Sequence, residues 1–111
     1  MPDVEARSGE ERVPVTQRSG CCHKYHHAVE LIGKRWTGAI LLVLLDGPLR
    51  FSEVGQLVPD LSDRLLSERL KELEGEGIVA REDGLYTLTR KGRELEPVVH
   101  GLKFWAQRNC T

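Results

Sequence analysis

Cys21, Cys22, His23, Lys24, His26 and His27 occur within seven residues, and a further thiol, Cys110, is the penultimate residue. A thiol among imidazole and ammonium groups is suited to attack on electrophiles, because the thiolate is the reactive form and nearby cations favour it. The same form is the one that oxidants convert to sulfenic acid or disulfide. Two other chemistries compete for these residues. Cys22 and His26 stand at i, i+4 on one helix face and the segment is dense in soft ligands, so zinc or copper ligation is open, although no second half of a standard Cys-x-x-Cys spacing accompanies it. A Cys22 with His23 or His26 catalytic pair is also conceivable, but nothing orients the base and no oxyanion donors are identifiable. The expectation is a non-enzyme without resident metal or cofactor.

The elements that position these groups follow from periodicity. Ala28, Leu31 and Ile32 recur at helical spacing from His23 until Gly33 stops the run, which puts Cys22 at a helix N-terminus, where the dipole also favours a thiolate. Lys34 to Leu45 is apolar on nearly every side after Trp36 and predicts a buried central helix ended by Asp46-Gly47-Pro48. Ser52 is a candidate cap for a short helix carrying Val54 and Leu57 inward, and Ser62 caps a longer helix to about Gly75. Ile78 to Arg81 and Leu85 to Leu88 flank Glu82-Asp83-Gly84, a tight two-stranded hairpin. Thr89 caps a turn through Leu95, Pro97 suits the start of a last helix, and Val98, Leu102 and Trp105 fall at i, i+4 and i+7.

A short helix, a turn, a longer capped helix and then a hairpin is the order of a winged helix-turn-helix, a mainly α fold with a small β-hairpin. The helix after Ser62 would be the DNA reader. Leu66, Leu70 and Leu73 share one stripe, while Arg64, Glu68 and Lys71 point the opposite way. Arg64 and Ser67, near the end that enters a major groove, are candidate base or phosphate contacts, as is Ser62; Lys71 is a candidate phosphate contact. Glu68 could accept from cytosine or simply pair with Arg64. Lys34, Arg35, Arg50, Arg81, Arg90 and Lys91 stand at element ends, where phosphate contacts occur.

Composition agrees with one small folded unit. The 111 residues are 40% hydrophobic and 30% charged, with 16 Lys and Arg against 17 Asp and Glu. Residues 1–20 are poor in large apolar groups and predict a flexible arm ahead of one domain over residues 21–111. The arm holds three of the basic and four of the acidic residues, so the remainder is formally neutral and any DNA contact depends on a local basic face. The longest apolar run, Ala39 to Leu45, is seven residues. No membrane span or secretory leader is expected, and an odd cysteine count suits a reducing, cytoplasmic compartment.

The segments LIGKRWTGAILLVLLDGPLRFSEV, LSDRLLSERLKELEGEGIV and LYTLTRKG resemble the HxlR family of bacterial winged-helix transcriptional regulators, from Cys22 to the C-terminus. The most specific parts are Gly33 with Trp36, Asp46-Gly47-Pro48 leading to Arg50-Phe51, and LKELE at 70–74 followed by Gly77. The resemblance implies a homodimer that binds double-stranded operator DNA, joined through its first and last helices, with Leu102 and Trp105 at the interface. It also implies thiol sensing of an oxidant or electrophile such as a quinone, aldehyde or diamide: Cys22 matches the reactive position before the first helix. Cys110, five residues after Trp105, matches a second cysteine found in some sensors, so the resemblance supplies an intersubunit Cys22–Cys110 disulfide, with Cys21 as a neighbouring thiol. The departure is the wing, whose tip is short and acidic with Arg81 as its nearby basic side chain. A metal or small-molecule effector, and a winged helix that binds protein through Glu72, Glu74 and Glu76, are the competing readings.

Overall fold

Helix α4 (Asp63–Gly75) buries Leu66, Leu70 and Leu73 almost completely, and this stripe sets the arrangement of the other elements in the computed structural model, which describes residues 11–111. Before it come α1 (His23–Ile32), α2 (Thr37–Leu44), β1 (Leu49–Arg50) and α3 (Phe51–Leu57). After it come β2 (Val79–Glu82), β3 (Leu85–Leu88), the single turn α5 (Arg90–Arg93) and α6 (Glu96–Asn109). The core joins the leucine stripe to Ile40, Leu41 and Leu44 of α2, Val54 of α3, Val79, Tyr86 and Leu88 of the sheet, and Val99 of α6. Ser62 caps α4 as its side chain suggests, the hydroxyl oxygen accepting from the Leu65 N–H at 3.2 Å. Thr89 likewise accepts from the Gly92 N–H and opens α5. Asp83 and Gly84 take the positive φ values that close the two-residue turn between β2 and β3.

Four local expectations are corrected. The central helix starts at Thr37 rather than Lys34 because Trp36 adopts a left-handed conformation, φ 81°. That backbone strain is offset by the half-buried Trp36 ring against the core, and by Arg69, whose Nε donates to the Arg35 carbonyl at 3.0 Å. Helix α3 is opened by Arg50, not Ser52: the Glu53 carboxylate accepts the Arg50 N–H at 2.7 Å and so satisfies an end donor that Ser52, already inside the helix, does not. Leu57 is 56% exposed, because the helix ends there and Val58 turns into the core in its place. The hairpin is part of a three-stranded antiparallel sheet of order β1-β3-β2, Leu49 pairing with Tyr86 and Arg50 with Leu85. Of the arm expected over residues 1–20, residues 1–10 lie outside the described residues; residues 11–20 are exposed and include a 3-10 turn at Val15–Gln17.

Gly92 is buried where a β-carbon would meet the Ile78 carbonyl, and that carbonyl is held in turn by the Thr89 N–H. Gly92→Ala is expected to lower stability by about 1–3 kcal/mol. Gly55→Ala, inside α3 with open space around it, is expected to raise stability by up to about 1 kcal/mol. Urea unfolding of both variants checks the contrast.

Candidate functional site

Because the leucine stripe faces inward, the opposite face of α4 is directed to solvent. Arg64 and Lys71 are exposed, Ser67 is half-buried, and Arg64 sits 3.3 Å from Glu68 in an i, i+4 pair. Such an exposed pair is weak, so the guanidinium is readily released to another acceptor. Ser62 uses its oxygen as the cap and retains its hydroxyl proton to donate. The N-terminal turn of α4 therefore offers Ser62, Arg64 and Ser67 together, with Lys71 farther along the helix.

The third strand brings Arg50 to the wing. Its guanidinium lies against Gly84 at the hairpin tip, while the Arg81 guanidinium stacks 5.4 Å from the Tyr86 ring centroid. Both arginines line an open groove of about 720 Å³ beside α3 and the start of α4, together with Ser52 and Gln56. Arg50 thus joins Arg81 beside a short wing whose tip residues, Glu82 and Asp83, are acidic.

At the other end of α4 the acidic residues are largely engaged inside the chain. Lys34 donates to Glu72 at 2.9 Å, and Arg69 reaches the same carboxylate at 3.4 Å. His27 meets Glu76 at 2.9 Å, and Lys91 donates to the Glu76 carbonyl at 2.7 Å. Lys34 thereby stands near the C-terminal end of α4, away from Ser62 and Arg64, while Arg35 stacks 4.8 Å from the Trp36 ring centroid. Glu72 and Glu76 serve the packing of α1, α2 and α5 around the helix end; Glu74 stays exposed. Arg69, His27 and Glu76 carried no signal as partners, since a pairing between residues 27 and 76 depends on how the helices pack.

All three cysteines are free and exposed, with Cys22 at the N-cap of α1 and Cys110 just past the end of α6. These two helices also carry most of the uncovered large apolar side chains. Tyr25 and Val29 on α1, and Val98, Leu102, Phe104 and Trp105 on α6, are all more than half exposed. Between α2 and α6 runs an apolar groove of about 370 Å³ lined by Ile32, Ala39, Leu42, Val99 and Leu102. Phe104, which packs on His100 in the preceding turn, went unnoticed in the sequence because it lies off the Val98, Leu102, Trp105 stripe. Among the described residues no three His, Cys, Asp or Glu side chains converge as a metal site, and no helix is long and apolar enough to cross a membrane.

A buried-stripe helix behind a short helix and turn, followed by a three-stranded wing, defines a winged-helix transcriptional regulator, a class that binds rather than transforms its ligands. Residues 31–111 match the HxlR-like helix-turn-helix family model, and the chain belongs to that family. It is 44% identical over 96 residues to the HTH-type transcriptional regulator YodB of Bacillus subtilis (strain 168), covering 80% of this chain and 86% of that one. The quinone-bound structure of YodB is similar with a TM-score of 0.73 at 47% identity, over 78% of this chain and 99% of that one. The redox regulator HypR in its oxidised form is similar with a TM-score of 0.74 at 35% identity, over 79% and 98%.

The hydrogen bond from His27, helped by the charges of His27 and Lys91 and opposed by partial desolvation, holds the Glu76 carboxyl below its ordinary value of 4.5. A lowered folded-state value means that the Glu76 carboxylate favours the folded form above 4.5, and that this contribution is lost as pH falls through the lower folded value. The difference in urea midpoint between the parent protein and Glu76→Gln should therefore be present at neutral pH and vanish on acidification below that range.

Proposed function

We propose that the chain is a homodimeric repressor whose two α4 helices enter successive major grooves of a pseudo-palindromic operator, about 34 Å apart. Modification of Cys22 by an oxidant or electrophile weakens that binding. The observation that carries this reading is the coincidence of exposed thiols and uncovered apolar faces on the same two helices, α1 and α6. Tyr25, Val29, Val98, Leu102, Phe104 and Trp105 become the dimer seam, and that seam brings Cys22 of one copy toward Cys110 of the other. In the disulfide branch the two thiols release two protons and two electrons to the oxidant and become one S–S bond. In the electrophile branch the Cys22 thiolate adds to a quinone carbon, and proton transfer restores the aromatic ring. The quinone-bound YodB and oxidised HypR structures support this choice of effector class. Cys21 is the neighbouring thiol that can relay or compete.

On DNA, Ser62, Arg64 and Ser67 approach base edges and phosphates and Lys71, Arg50 and Arg81 neutralise phosphates, while Lys34, paired with Glu72, and Arg35, whose carbonyl is held by Arg69, lie toward the other end of α4. Arg64→Ala is expected to weaken specific binding by about 1–3 kcal/mol and non-specific binding less. Lys71→Ala is expected to weaken both and to flatten the salt dependence. An equal Arg64→Ala loss on specific and non-specific DNA would reduce Arg64 to a phosphate contact.

The deciding experiment is a gel shift on the DNA upstream of the protein's own gene, with reduced protein, with diamide and after dithiothreitol. Binding lost with diamide and restored by reductant is expected, together with loss of the response in Cys22→Ser and of the cross-linked dimer in Cys110→Ser. Binding indifferent to diamide would retain the regulator and replace the thiol switch by a small-molecule or metal effector. No salt-sensitive binding to any DNA would point instead to a protein-binding winged helix.

A further inference from the structure

Helix α1 has two different sides. At about 100° per residue, Cys22, Tyr25, His26 and Val29 fall on one side, and His27 and Leu31 fall on the other. The first side is uncovered, with Tyr25 and Val29 exposed. The second lies on the body of the chain, where Leu31 packs against the core and His27 meets Glu76, the residue that ends α4.

Little else fixes α1 at that point. None of its residues is buried, and open clefts of about 430 and 320 Å³ lie on either side of the His27–Glu76 bond. Around the bond stand Glu30 of α1, Lys34 of the following turn, Glu72 of α4, and Lys91 and Glu94 of α5 and its end. Lys34 is taken by Glu72 and Lys91 by the Glu76 carbonyl, so among the described residues His27 is the side chain that bonds the Glu76 carboxylate. The Leu66, Leu70 and Leu73 anchors make α4 a stiff body, so a pull on its last turn is felt along the helix.

We propose that His27 and Glu76 are positioning residues that set the docking of α1 on the end of α4, so that a displacement of α1 begun at Cys22 reaches the reader helix through this bond. The inference rests on the thiol-switch reading above. An exposed pair of this kind adds little to global stability, so the urea-midpoint difference it sets is small and its larger effect is on helix placement, read in the response to thiol modification.

The test uses the full chain and the DNA upstream of its gene, measuring affinity by fluorescence anisotropy before and after diamide for the parent protein, His27→Ala, Glu76→Ala, the double variant and His27→Gln. Hydrogen exchange is followed at residues 72–76. The reduced variants should bind DNA close to the parent affinity, which shows that they are folded. The ratio of reduced to diamide-treated affinity should shrink by about fivefold or more in each alanine variant, the low end of ordinary coupling between sites. It should shrink no further in the double variant, and His27→Gln, which keeps a donor for Glu76, should restore it. Exchange in the last turn of α4 should quicken in His27→Ala. A parent protein that responds to diamide alongside alanine variants that respond equally overturns the proposal and leaves the thiol switch standing. A parent protein indifferent to diamide overturns the switch and the transmission together.

Discussion

The burial of Leu66, Leu70 and Leu73 in the core shared with α2 and the sheet is the contact on which the remainder of the structure depends. An α-helix with one apolar stripe has one free rotation about its axis, and satisfying the stripe fixes it. Once it is fixed, Arg64 and Lys71 point to solvent, Ser62 and Ser67 stand at the presented end, and the hairpin that follows Gly77 must fold back beside the same surface. The face proposed to read DNA is therefore a consequence of core packing. Apart from the Ser62 cap, its polar residues contribute little to the fold and are free to serve recognition.

The two ends of α4 are treated differently, and the difference is electrostatic. The N-terminal turn has its end donors capped by Ser62 and an acid at Asp63, leaving cationic side chains exposed around it. The C-terminal turn carries Glu72, Glu74 and Glu76 where the helix dipole disfavours negative charge, and the chain answers with Arg69 of α4 itself and with Lys34, His27 and Lys91 drawn from three neighbouring segments. This local neutralisation removes most of the acidic surface that would otherwise suit a protein partner. It also ties the thiol-bearing first helix to α4 at the end remote from Ser62 and Arg64.

The first and last helices are less buried than α2 and α4, yet they carry large apolar side chains. Val99 alone is buried on α6 and no residue is buried on α1, whereas Tyr25, Val29, Val98, Leu102, Phe104 and Trp105 remain open. Nothing in the described residues covers these side chains, and pairing with a second copy would supply the missing cover. In the proposed function, the thiols at the ends of these same helices link thiol chemistry to assembly, and assembly to the spacing of two α4 helices.

The sequence by itself determined the order of the helices and the hairpin, the inward leucine stripe, the Ser62 and Thr89 caps, the Asp83-Gly84 turn and the position of Cys22 before the first helix, because each depends on neighbours within about one or two turns. The resemblance to the HxlR family was equally legible, carried by contiguous segments. What the tertiary structure decided is whatever joins residues far apart in the chain. Strand β1 is two residues long and has no periodicity of its own; it exists because β3 offers it an edge. The left-handed Trp36 is sustained by Arg69, more than thirty residues away. Helix α3 begins at Arg50 because the strand ends there and Glu53 turns back to receive its N–H, a competition that the presence of Ser52 did not reveal. The pairing of His27 with Glu76, and the arrival of Arg50 at the wing tip, likewise depend on how packed elements approach one another, which local pattern does not encode.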